Sequence, residues 1–216
     1  MKYYDELERI LSESKGERAA SAFLSQHPNI VRWAVCWTGG HNAFVLKEFP
    51  FGSQFKADFV VATSYSGVWE VHLIELEPHD DKVITKDGLP SNRLNKAITQ
   101  IKDWQEYIKQ NPVSFRQDLA NWCTKRDLLG FQELGSVPIN NTGDYLSAPD
   151  THIRLKYYIF IGSRANIDKE QRKRMNQFSD HPLTIFTYGR IFDIARNMDR
   201  VDMGESGVRL TESEEG

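Results

Sequence analysis

The chain reads as an α/β domain with a mixed central β-sheet flanked by helices. Three observations predict this. Residues 55–78, FKADFVVATSYSGVWEVHLIELEP, hold two apolar runs on either side of Ser66-Gly67, the pattern of a β-hairpin. Two later runs, 155–162 (LKYYIFIG) and 184–188 (TIFTY), read as further core strands. Amphipathic stretches with helical spacing lie before, between and after these runs, and strands mixed with helices on both sides make a single α/β or α+β domain.

The first helix spans 3–14, with Leu7, Ile10 and Leu11 at helical spacing. A second runs from Glu17 to Gln26 with Ala19, Ala20, Phe23 and Leu24 inward, and His27-Pro28 stops it. Residues 29–46 read as two strands around the turn Thr38-Gly39-Gly40-His41-Asn42, because Trp33, Val35 and Trp37 alternate. His41 there reads as a surface loop residue. Residues 49–52 (FPFG) read as a second turn leading into the hairpin. After Pro78 comes a polar stretch broken by Gly88 and Pro90, a loop able to fold over the end of the sheet. His79, Asp80, Asp81 and Lys82 lie close enough in sequence to line one cleft there, although a charge run of this kind is usually solvated. Ser91 then caps a long helix that ends at Pro112, with Leu94, Ala97, Ile98, Ile101, Trp104 and Ile108 as its apolar stripe. An amphipathic helix around 114–127 and a loop rich in Gly, Asn, Pro and Asp precede the strand at 155–162. A basic helix (DKEQRKRMNQF) and a closing helix at 189–199 flank the last strand, and from Val201 the chain reads as a disordered acidic tail, 201–216.

Composition bounds the function. The 216 residues suffice for one domain with a full core, and 40% hydrophobic with 26% charged residues is ordinary for a globular protein. No run approaches the length of a membrane span, and MKYYDELERIL is no signal peptide. Cys36 and Cys123 are isolated and lack CxxC spacing, which argues against a zinc site or disulfide framework and favours a reducing, cytoplasmic setting. The net charge of −3 announces no global field for nucleic acid, so any DNA contact must come from local basic surfaces.

The hairpin carries the chemistry. Asp58 sits where its first strand begins, and Glu75 and Glu77 lie near the end of the second. Residues two apart on a strand share a face, so both glutamates project one way and Leu76 the other. Carboxylates in so apolar a strand are costly unless compensated. They commonly leave the sheet for water. With Asp58 approaching from the neighbouring strand, a divalent cation is the natural partner, and oxygen-only ligands suit Mg²⁺ or Mn²⁺. Glu17 is either a first-turn acid that suits its helix dipole or a further member of this group. Gln100 borders the buried face of the long helix, where it is an edge residue or holds a water or a phosphate oxygen.

The order of these pieces resembles the PD-(D/E)XK nuclease superfamily and, more narrowly, the Shedu-type antiphage nuclease domain. The matching segments are GERAASAFLSQHPNIV, KADFVV, LIELEP, NKAITQIKDWQEYI, YIFIGSR and TIFTYGRIFDIA. They cover most of residues 16–198 and imply a restriction endonuclease-like core within a single domain, 1–200. The resemblance implies that Asp58 and Glu75 bind the catalytic metal with the carbonyl of Leu76. Glu17 adds a ligand or holds a metal-bound water, and Gln100 orients near the scissile phosphate. The departure is Glu77, where the family has lysine. Some restriction enzymes of the superfamily carry Glu-x-Glu, with the second carboxylate as base or second-metal ligand. Lys56 or Lys82 is the alternative source of positive charge, and loss of catalysis is the third possibility.

The expected activity is metal-dependent hydrolysis of DNA phosphodiester bonds in antiphage defence, with Mg²⁺ or Mn²⁺ as cofactor and a homodimer or larger assembly to cut two strands. A defence-system partner protein fits this setting. Lys96, Lys102, Arg164, Arg172, Lys173 and Arg174 are candidate phosphate contacts, although basic helix faces are usually just solvated. DNA binding through them would weaken steeply with salt. An inactive DNA-binding or regulatory subunit is one alternative, and a protein-interaction domain that binds neither metal nor DNA is another.

Overall fold

The structure, a computed structural model, describes residues 2–36, 42–130 and 138–202. In order these form α1 (Lys2–Glu13), α2 (Arg18–Gln26), α3 (Pro28–Val35), β1 (Asn42–Phe51), β2 (Phe55–Tyr65), β3 (Val68–Leu76), α4 (Asn92–Gln110) and α5 (Pro112–Arg126). They continue as β4 (Ile153–Phe160), a short 3-10 turn (Arg164–Asn166), α6 (Lys169–Phe178), β5 (Leu183–Phe186) and α7 (Gly189–Asp202). The fold is mixed α/β. Its five strands lie in sequence order, so β3 is central. β1–β2 and β2–β3 pair antiparallel, whereas β3–β4 and β4–β5 pair parallel.

Strand alternation sorts the core into two layers, one on each face of the sheet. Trp69, Val71 and Leu73 of β3 pack with Leu94, Ala97, Ile101 and Trp104 of α4 and with Phe115 and Leu119 of α5. Ile74 and Leu76 pack instead with Phe23 and Leu24 of α2, Ile30 of α3 and Ile191 of α7. Each large side chain fully buried in these layers stabilises the fold by roughly 1.5–3 kcal/mol. Among the described residues, no helix is long and apolar enough to cross a membrane. Both cysteines are buried.

The hairpin and the long helix lie where expected. The turn at Ser66-Gly67 has positive φ at both residues, and Ser91 caps α4 by accepting the Leu94 N–H at 3.2 Å. Two expectations are corrected. Residues 28–35 form a helix, not a strand: Pro28 stops α2 and, with no N–H to lose, opens α3 at its first position. Ile30, Val31, Ala34 and Val35 are its buried residues, a helical set that the alternation of Trp33, Val35 and Trp37 conceals. Residues 49–51 remain in β1, where Pro50 is tolerated because β1 is an edge strand. The turn falls after them at Gly52, whose hydrogen faces the Tyr107 ring; a Cβ there would lie 2.7 Å from Cζ. Val201 and Asp202 belong to α7, and the rest of the expected tail, like His41 and most of its turn, lies outside the described residues.

Candidate active site

The β2–β3 ladder runs as far as Phe59 opposite Ile74 and then opens. At the opening, Asp58 Oδ2 accepts the Leu76 N–H at 2.7 Å, so a side chain satisfies a donor that a neighbouring strand would otherwise have taken. β3 stays paired on its other side, with Glu75 opposite Ile159 and the Glu77 N–H donating to the Phe160 carbonyl at 2.8 Å. The acidic residues therefore stand at the carboxyl end of a parallel strand pair, where open α/β sheets form crevices.

Two loops bring in further groups. The His79 ring nitrogens sit 2.9 Å from the Leu11 carbonyl (Nε2) and 3.1 Å from the Gly16 carbonyl (Nδ1). The Gly16 N–H donates to Asp80 Oδ1 at 3.2 Å. These contacts hold the α1–α2 junction against the end of β3 and set Glu17 beside the other carboxylates. Glu17 occupies the N-cap of α2 yet makes no capping hydrogen bond, and its charge acts on Asp58, Glu75 and Glu77.

Burial is the main cause of the shifts at Asp58, Glu75 and Glu77. It raises Asp58 above the ordinary range, opposed by the Leu76 N–H and by Lys56. Glu75 is pushed up to about 9 by burial and then by the charges of Asp58 and Glu77, while a hydrogen bond with Gln100 acts the other way. Glu77 rises to about 7 through burial, held back by Arg93 and pushed further by Glu17, Asp81 and Asp58. All three carboxyls are thus harder to ionise than free ones.

Two participants, Arg93 and Tyr188, were not read from the sequence as site residues. Arg93, in the first turn of α4, places Nε 3.4 Å from Glu77 Oε2 and 3.4 Å from Asp81 Oδ2. His79, read as one of the loop residues able to line the cleft, does reach it. Tyr188 is 1% exposed and packs edge-on to the His79 ring at 5.9 Å. Its hydroxyl has no hydrogen-bond partner among the described residues, and Asp58, Glu17 and Glu77 act on it electrostatically. An arginine two residues past a helix cap and a tyrosine after a short strand carry no local signal of this site. The folding of distant segments alone brings them here.

The basic residues do not share one surface. Lys96 borders two grooves of about 540 Å³ each, one lined also by Lys56 and Gln100 and the other by Lys82 and Arg93. Lys102 borders a different depression beside Pro90 and Gln105. Arg164 and Arg172 line a cavity beside β5. Lys173 pairs with Glu170 at 3.3 Å, and Arg174 lies over Gly88 and contacts Gln177. Lys56 lies 3.9 Å from Glu48. Among the described residues, the cation in contact with Glu77 is thus Arg93 rather than either expected lysine.

Among the described residues, no three His, Cys, Asp or Glu side chains are close enough to form a ready-made metal cluster. The donor set is smaller: two carboxylates, Asp58 and Glu75, with the Leu76 main chain between Glu75 and Glu77. Mg²⁺ commonly takes such a set, since it binds through one or two carboxylates and keeps several waters.

Fold and site together define a mixed α/β domain with an acidic cleft at the carboxyl end of its central strand. The chain belongs to the family described as Shedu protein SduA, C-terminal, whose model matches residues 14–191. That membership suggests a role in antiphage defence. No curated protein matches the chain.

Proposed function

We propose that this domain is a metal-dependent DNA endonuclease with a restriction endonuclease-like core, acting in the cytoplasm in antiphage defence. The observation that carries the reading is the gathering of Asp58 and Glu75, with Glu17 and Gln100, at the open end of the β2–β3 ladder. Buried carboxyls that disfavour one another's ionisation, with an unpartnered buried Tyr188 hydroxyl in their field, support a site that takes a cation and its waters.

Asp58, Glu75 and the Leu76 carbonyl would hold Mg²⁺ or Mn²⁺. When bound there, the ion neutralises charge on a phosphodiester and lowers the pKa of an attacking water. The chain's own groups do the rest. Gln100, which favours the ionised form of Glu75, borders the groove in which Lys96 would engage the DNA backbone. Glu77 titrates near neutrality and can accept a proton, while Arg93 restores the positive charge that a lysine at 77 would have supplied. A double-strand break needs two such sites, which fits a homodimer or larger assembly.

A second reading, an inactive DNA-binding or regulatory subunit, draws on the use of Asp58 as a partner for the Leu76 N–H and on glutamate at 77. Supercoiled plasmid incubated with Mg²⁺ or Mn²⁺ separates the two. Nicking by the wild type that Glu75→Ala abolishes supports the enzyme, and DNA retention without cleavage in either metal supports the subunit.

A further inference from the structure

Two strands from the acidic cleft, the edge strand β5 forms one wall of a separate cavity of about 370 Å³, closed by the 3-10 turn, α6 and the start of α7. Three arginines line it: Arg164, Arg172 and Arg190. Among the described residues a single carboxylate, Asp193, lies between them, and it is engaged by Arg164 through two hydrogen bonds, one of 3.2 Å from Nη1. The lining thus carries an excess of two positive charges in a chain whose net charge is −3.

The arginines differ in how they are held. Arg164 is fixed by Asp193 and lies so close over Gly189 that a Cβ there would stand 2.6 Å from its Nε, so glycine is what admits it. Arg190 donates through Nε to the Ala34 carbonyl at 3.1 Å and lies over the Phe186 ring at 5.5 Å. Arg172 is exposed, and its guanidinium forms no ion pair among the described residues. Two guanidinium groups are therefore preorganised and the third has its five donors available, the arrangement suited to an oxyanion with several acceptor oxygens. Thr184 and Ser179 add hydroxyls; Ser179 Oγ accepts the Ile185 N–H at 3.0 Å, which leaves its own proton to donate. Met175 and Ile185 make the floor apolar.

We propose that this cavity binds a phosphomonoester of mononucleotide size. A phosphomonoester carries about −1.5 to −2 at neutral pH, which matches the excess charge of the lining. The volume falls within the range of about 300–1,000 Å³ typical of small-ligand sites, and the apolar floor receives the body of the ligand. The inference does not rest on the nuclease reading, since the two sites share no residue.

Isothermal titration calorimetry on the whole chain tests it, in EDTA so that no metal in the acidic cleft contributes phosphate binding. AMP or ribose 5-phosphate should bind at least about ten-fold more tightly than adenosine, and Arg172→Ala should weaken that binding by about ten-fold. Arg172 is exposed on α6, so its removal leaves folding intact; Arg164→Ala, checked by circular dichroism, should weaken binding further. Three results overturn the proposal. One is no binding of either ester up to about 1 mM. Another is binding unchanged by Arg172→Ala. The third is Arg172-dependent binding of a 5′-phosphorylated oligonucleotide when neither small ester binds.

Discussion

Arg93 Nε stands 3.4 Å from Glu77 Oε2, and this pairing puts a cation next to the carboxylate at position 77. The pair is fixed by the fold. Ser91 caps α4, and Arg93 follows two residues later, directed back at the end of β3. On the proposed nuclease reading Arg93 faces the reacting phosphate, so Arg93→Ala should lower cleavage about 10²–10³-fold, while Arg93→Lys should recover part of the loss. Single-turnover nicking rates at saturating Mg²⁺ check both.

Glu77, held near 7, gives a second expectation. If its carboxylate accepts a proton during cleavage, the rate should rise with pH through about 7 and level off above it. Glu77→Gln should lower the rate and flatten that limb. A profile of kcat/KM against pH for the two proteins decides it.

Glu75 links the site to stability. Its carboxyl ionises near 9 when folded against an ordinary 4.5, so between those values the folded chain holds the proton that the unfolded chain has lost. Metal-free stability should therefore fall as pH rises across that window. Glu75→Gln removes the penalty. It should match the wild type near about pH 4 and exceed it by about 1–3 kcal/mol near about pH 9, a range reduced for the partial exposure of the group. Mg²⁺ should raise the melting temperature of the wild type and leave that of the variant unchanged. Thermal denaturation at the two pH values, with and without Mg²⁺, measures all of this.

How much of this was legible in the sequence differs by element. The β2–β3 hairpin announces itself because its signals are local: alternation, a Ser-Gly turn and carboxylates out of place in an apolar run. The α4 cap at Ser91 is local too. The helix at 28–35 is not, because the alternation of Trp33, Val35 and Trp37 imitates a strand and Pro28 serves two helices at once. The placement of Arg93 and Tyr188 cannot be read locally at all. Both reach the cleft through contacts between segments far apart in the chain, the first across the loop 77–91 and the second through the packing of β5 and α7 behind β3. The six basic residues were read as one kind of contact, and the fold distributes them over separate surfaces.

Asp199 tests how the cleft is braced. It is 1% exposed, and its two oxygens accept the Tyr3 and Tyr4 N–H groups at 2.7 and 3.0 Å, which caps α1 and ties it to α7. α1 in turn supplies the Leu11 carbonyl that His79 meets. Asp199→Ala should cost about 1–3 kcal/mol and, by loosening the α1–α2 junction that carries Glu17, should also weaken Mg²⁺-dependent cleavage. Urea denaturation and nicking assays on one preparation separate the two effects.

The central claim is that Asp58 and Glu75 jointly hold a hard divalent cation. Anomalous diffraction from a manganese-soaked crystal tests it most directly. The account predicts one strong peak between the two carboxylates and within coordinating distance of the Leu76 carbonyl. A well-ordered site with no manganese between Asp58 and Glu75 would contradict it.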